Sequence, residues 1–144
     1  MPITSSWFYW ALLSAVFAAF TAILVKAGLA EVNPDLATLI RTVVILIVLG
    51  IFVASTGQWS NPLHLAGRTW IFLVLSGLAT GASWVCYFRA MKSGQAYQVA
   101  PVDKLSLLLV AVFAYGFLHE RPSGREWLGL LLVGAGIVVL AFKR

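Results

Sequence analysis

Apolar runs long enough to cross a bilayer recur along the whole chain, each of roughly 17–25 residues and separated from the next by a short polar break. Composition agrees: 61% of the residues are hydrophobic and 10% charged, with a mean hydropathy of +0.94, whereas a water-soluble domain of 144 residues needs a charged shell. The pattern predicts an all-α integral membrane bundle of five transmembrane helices at about 7–28, 36–54, 69–91, 99–118 and 127–142, forming one domain over 1–144. The lipid bilayer is then its principal partner. Each break carries helix-ending chemistry: Glu31-Val32-Asn33-Pro34-Asp35, Ser55-Thr56-Gly57-Gln58 through Asn61-Pro62, Lys92-Ser93-Gly94-Gln95, and Glu120-Arg121-Pro122-Ser123-Gly124. No basic segment precedes the first run and no clear cleavage site follows it, so it is expected to be a retained helix rather than a removed signal peptide.

An odd number of spans puts the two ends of the chain on opposite membrane faces. Tryptophan checks the count, because indole favours the headgroup region. Trp7, Trp10, Trp59, Trp70 and Trp127 all fall at span ends, and with five alternating spans all of them share the N-terminal face. Lys and Arg, whose excess marks the cytoplasmic side, are nearly balanced: Arg68, Arg121 and Arg125 on one face, Arg89, Lys92, Lys143 and Arg144 on the other. A chain without a decisive bias can insert both ways.

Catalytic signatures are missing. There is no HExxH, GxSxG or Walker lysine loop, and the single cysteine, Cys86, together with the isolated His64 and His119 makes no ligand-spaced set. The expectation is a protein that is not an enzyme and has no cofactor and no metal. Nucleic acid is not an expected partner either, because the +5 charge is dispersed among span ends instead of being gathered into a stripe.

Charges inside the spans are the informative residues, since each costs about 2.5–3.5 kcal/mol on insertion scales unless it reaches the interface or a polar interior. Lys26, near the end of the first span, can snorkel or face a pocket. Arg41 sits about one and a half turns into the second span, deep for snorkelling, and on the same membrane face as Lys26, so the two can share a vestibule. In the fourth span Pro101 suits a first helical turn and Asp103 suits the positive end of the helix dipole. The alternative is that Asp103 pairs with Lys26, Arg41 or Arg89 as a switchable ion pair or proton site. Adjacent Asp103 and Lys104, about 100° apart on a helix, are expected not to satisfy each other. In the third span Gly77 and Gly81 form a small-xxx-small pair suited to close helix packing. Trp84 and Tyr87, at i,i+3 spacing, pack in the bundle or stack on a flat or cationic ligand. Glu120 is a minor candidate, most simply a charge at a helix terminus.

The run from Ser76 to Leu118, with SGLATGASWVCYFRAMKSG and VAPVDKLS, the following FLHERPSGREWLGLLLVGAGIVVL, and KAGL and NPDLATLIRT around Lys26 and Arg41, resembles the EamA-like group of the drug/metabolite transporter superfamily. The resemblance covers essentially the whole chain and is most specific in PVDKLS. It is strongest to short members with a single repeat; larger relatives carry two five-helix repeats, the second inverted, with the substrate path between them. It therefore implies half of an inverted-repeat transporter fold, in the cell (inner) membrane of a bacterium or archaeon, working as an antiparallel homodimer or with an inverted related chain. The family pattern draws attention to Lys26, Arg41, Arg89, Asp103 and Lys104. Small multidrug resistance proteins, a neighbouring class, use a glutamate in their first helix; here that span has Ser14 and Thr21 but no acid, which leaves Asp103 as the ion-coupling candidate.

The expected function is a secondary transporter moving small metabolites or drug-like solutes by alternating access. Lys26, Arg41, Trp84, Tyr87, Arg89 and Lys104 are candidates for the small-molecule substrate, and the basic set suggests an anionic or zwitterionic one. Two alternatives stay open: a non-transporting membrane partner that packs through Gly77 and Gly81, and a subunit of a lipid or lipid-linked sugar flippase.

Overall fold

The computed structural model describes residues 6–142. Lys143 and Arg144, which entered the charge balance, lie outside the described residues. The elements are α1 (Ser6–Gly28), α2 (Pro34–Ser55), a short 3-10 turn (Pro62–His64), α3 (Gly67–Ser93), α4 (Ala96–Asp103), α5 (Ser106–Phe117) and α6 (Gly124–Ala141), with no strand among the described residues. Five helical segments are long and apolar enough to cross a membrane: Trp7–Gly28, Pro34–Ser55, Gly67–Ser93, Ala96–Phe117 and Gly124–Ala141. The fold is all-α with five spans, as the hydropathy pattern predicts.

α2 and α6 begin earlier than apolar character alone would place them, because polar residues cap them. The Asn33 side chain accepts the Asp35 N–H at 2.8 Å, and Pro34 occupies the first turn, where its missing N–H costs nothing. Ser123 and Glu126 make a capping box: Ser123 Oγ accepts the Glu126 N–H, and the Glu126 carboxylate accepts the Ser123 N–H at 2.6 Å. That places Gly124, Arg125 and Glu126 in the first turn of α6. At the end of α5 the chain turns through His119 at φ 55°, and the Glu120 N–H returns to the Ala114 carbonyl.

The fourth span is two helices. Pro101, expected in a first turn, lies inside α4, which starts at Ala96. It has no N–H to give to the preceding turn, and in the residues after it the backbone tightens. The N–H groups of Lys104, Leu105, Leu107 and Leu108 each bond the carbonyl three residues back, to Pro101, Val102, Lys104 and Leu105, at 2.9–3.1 Å. The helix thus breaks at Lys104 and Leu105, between α4 and α5.

The chain divides into two compact units, Met1–Ser93 and Gly94–Arg144. In the first, α3 packs against both α1 and α2. The buried residues gather at one end of the three helices: Ala22, Val25 and Leu29 at the end of α1, Thr38 near the start of α2, Phe88 and Met91 near the end of α3. Thr38 is polar but satisfied, its hydroxyl donating to the Pro34 carbonyl at 2.8 Å. Elsewhere large apolar side chains such as Leu46 and Phe72 stand exposed, which is costless against lipid tails; packing and hydrogen bonds, not the hydrophobic effect, hold helices together there.

In the second unit α4 and α5 each pack on α6. Gly134 is buried, and a Cβ built on it would stand 2.7 Å from a Leu108 methyl, so its missing side chain is what admits α5. Gly77 and Gly81 behave differently. A Cβ at either meets no described atom within 4 Å, so the close approach between helices of this chain falls at Gly134 and not at the pair in α3.

Candidate solute site

The packed end of the first unit is held by cations of α1 and α3. Lys26 of α1 donates to the Met91 carbonyl of α3 at 2.8 Å. Lys92 of α3 reaches the other way, into the α1–α2 connection, where it donates to the carbonyls of Leu29, of Ala30 at 2.8 Å and of Val32 at 3.3 Å. Carbonyls left over at a helix C-terminus attract cations through both hydrogen bonding and the helix dipole, so these lysines dock where the backbone is most negative. Arg89 forms a two-pronged bridge to Asp35, Nε to Oδ1 at 2.9 Å and Nη2 to Oδ2 at 2.8 Å, tying the end of α3 to the first turn of α2. The pair is largely exposed.

Arg41 is held in another way. It lies about 10 Å along α2 from Pro34, at 1.5 Å of rise per residue. Its guanidinium carbon sits 4.7 Å from the centre of the Trp84 ring and 5.5 Å from that of Phe88, both on α3. Half-buried and stacked, the side chain stays beside α3, where two π faces offset part of the cost of a charge at this depth. Among the described residues no carboxylate lies within ion-pair distance of it.

Arg41 forms part of the wall of a cavity of about 420 Å³ between α1, α2 and the end of α3. Thr21 and Leu24 from α1, Ile40 from α2 and Phe88 from α3 also line it, so the wall is mainly apolar with one cation and one hydroxyl. That volume falls within the roughly 300–1,000 Å³ of small-molecule sites.

Of the residues singled out in the sequence, Arg41 and Trp84 meet directly, and the ring face expected to receive a flat or cationic ligand is covered by Arg41 itself. Tyr87 is half-buried beside Phe88, with ring centres 6.3 Å apart. Lys26 and Arg89 belong to the same packed end but engage Met91 and Asp35.

Asp103 and Lys104 lie in the second unit and correct an expectation: Lys104 Nζ stands 3.2 Å from Asp103 Oδ2. Lys104 keeps right-handed helical backbone angles, so the two Cβ directions still diverge; the long, flexible Lys104 stem is what reaches the neighbouring carboxylate. The carboxylate that answers Arg89 is that of Asp35, not Asp103. Sequence reasoning missed Asp35 and Phe88. Asp35 carried a signal, an acid opening the second span on the face where the third span ends in Arg89. Phe88 carried none, being one apolar residue among many. No group of three or more His, Cys, Asp or Glu side chains able to hold a metal occurs among the described residues.

Five membrane-length spans among the described residues, with a solute-sized cavity among the first three and a cation in its wall, are the features of a multi-pass membrane protein of the transporter class. The description of the EamA-like transporter family matches residues 5–142, and the chain belongs to that family. It is similar to an uncharacterized transporter in the cobO 3' region of Sinorhizobium sp, 57% identical over 138 residues that make up 96% of this chain and 98% of that protein. It is also similar to the uncharacterized transporter YxxF of Bacillus subtilis (strain 168), 26% identical over 136 residues, 94% of this chain but 42% of that protein. A third relative is the probable 4-amino-4-deoxy-L-arabinose-phosphoundecaprenol flippase subunit ArnE of Salmonella paratyphi B, 32% identical over 89 residues, 58% of this chain and 78% of that protein. No solved structure matches the chain significantly.

Proposed function

We propose that this chain is one five-helix half of a secondary transporter that moves small metabolites or drug-like solutes across the inner membrane by alternating access, paired with an inverted copy of itself. The observation that carries this reading is one of length: 136 residues of this chain account for 42% of YxxF, which leaves that protein room for two such units. Five spans per unit make the second unit inverted automatically, and a single-unit chain has to obtain its inverted half from a second molecule. Gly77 and Gly81, clear of described neighbours, are where a partner helix can approach closely. Arg41, stacked on Trp84, faces the solute; Lys26, Tyr87 and Arg89 hold the end of the cavity around it. Asp103, beside Lys104 at the break in the fourth span, is the residue assigned to ion coupling.

A second reading, a subunit that moves a lipid-linked sugar, draws support from the flippase subunits among the relatives and from the apolar cavity wall. Proteoliposomes made from the purified chain alone separate the two. Uptake from a panel of labelled amino acids, organic acids and cationic dyes, abolished by Asp103→Asn while the protein still elutes as a dimer, is expected. Translocation of a labelled lipid-linked sugar without uptake of any soluble solute would overturn the first reading in favour of the second. No flux of either kind would make the chain a non-transporting partner.

A further inference from the structure

We infer that the Arg41 cavity selects an amphiphilic anion: a molecule with an apolar body and one carboxylate or phosphate group, whose negative end is received by the Arg41 guanidinium. The inference rests on reading the cavity as the transport site, and it names the class of solute.

Four cations of the first unit lie close together in the fold, and three of them have their hydrogen bonds answered by protein. Lys26 takes the Met91 carbonyl, Lys92 the carbonyls of the α1–α2 connection, and Arg89 the Asp35 carboxylate. Arg41 meets ring carbons, and no hydrogen bond from it to protein occurs among the described residues. Its guanidinium carbon stands 4.7 Å from the Trp84 ring centre and 5.5 Å from that of Phe88, contacts that leave N–H donors of the fork for another acceptor. No buried nitrogen or oxygen without a partner occurs among the described side chains, so the Arg41 donors are accessible rather than sealed. They belong to a residue that lines the cavity.

A guanidinium fork fits a carboxylate or phosphate two-pronged, in the geometry that Arg89 and Asp35 already make a few residues away. The rings also fix the fork, so little side-chain freedom is lost when an anion docks. The remainder of the wall asks for something different from charge. Leu24, Ile40 and Phe88 present hydrocarbon, with only the Thr21 hydroxyl as a further polar side chain among the residues named above. A small hydrophilic anion would lose its hydration against that surface without compensation, whereas an anion with an apolar body gains on both counts.

The test uses the full-length protein in phosphatidylcholine nanodiscs and equilibrium dialysis of two labelled probes of equal shape, 1-naphthoate and the neutral 1-naphthamide, with empty nanodiscs subtracted. Saturable naphthoate binding at least about tenfold tighter than naphthamide binding is expected, the scale of one charge-assisted pair. Arg41→Gln should abolish the preference, and Arg68→Gln, at the opposite end of α3 and outside the cavity wall, should keep it. Equal binding of the two probes by the unaltered protein, or a preference surviving in Arg41→Gln, would overturn the inference. The first comparison needs no variant and holds even if Arg41→Gln does not fold. Adding phosphatidylglycerol to the nanodiscs separates the sources of the anion: displacement of naphthoate assigns the site to a lipid headgroup, and undisturbed binding assigns it to a soluble amphiphile. Charge-selective binding without uptake in proteoliposomes would overturn the transport reading and leave this inference standing. Uptake without charge selectivity would do the reverse.

Discussion

Lys92 condenses the chemistry of this protein at the scale of a residue. One ammonium at the end of α3 collects carbonyls that the end of α1 and the following turn leave without partners, so a single side chain closes a connection of few residues. Lys92→Met keeps the apolar stem and removes the donors. With the group partly exposed, the loss is set at about 1 kcal/mol, below the 1.5–3 kcal/mol typical of hydrogen bonds to charged groups. Amide hydrogen exchange across residues 29–33 should then quicken roughly fivefold, while exchange within α5 and α6 stays unchanged. An unaltered rate at 29–33 would show that the contacts hold nothing. That Lys26, Arg41 and Arg89 need partners was legible in the sequence, because a charge in an apolar span demands an explanation. Their partners were not legible. Carbonyls carry no sequence signature, and the Asp35–Arg89 bridge joins residues 54 positions apart that only the packing of α2 on α3 brings together.

At the scale of elements the five spans were readable from hydropathy and punctuation, and capping residues account for the earlier starts of α2 and α6. The break in the fourth span was not read. Hydropathy averages over a window and registers no change when four N–H groups shift their bonds by one carbonyl, although Pro101 was in plain view. The expectation that Asp103 and Lys104 stay apart failed for another reason: it counted the divergence of the two Cβ directions and left out the reach of the flexible Lys104 stem. Pro101→Ala restores the missing donor and removes the ring, a change of about 3 kcal/mol in favour of helix in an interior position. Continuous helix from α4 into α5 is expected, with amide exchange at Lys104 and Leu105 slowed at least about tenfold. If the break is also where Asp103 and Lys104 work, transport should fall in the same variant. Unchanged exchange would place the cause of the break in residues other than Pro101.

At the scale of the whole molecule the described residues supply five spans, in a family with a relative of more than twice the matched length. Sequence carried this far, because membership of the family is written in motifs spread over nearly the whole chain. What the sequence could not express is the partner, since a surface facing lipid and a surface facing another helix are both apolar. The near-balance of Lys and Arg between the two faces favours insertion in both senses. The most direct measurement is a single cysteine at Gln58, in the exposed connection between α2 and α3, in a Cys86→Ser background. Intact cells are labelled with a membrane-impermeant maleimide before and after permeabilisation. An antiparallel pair of identical chains predicts that about half of the protein labels from outside and the remainder only once the membrane is opened. Labelling confined to one side, in cells where the chain is active without a related partner, would contradict the inverted pair.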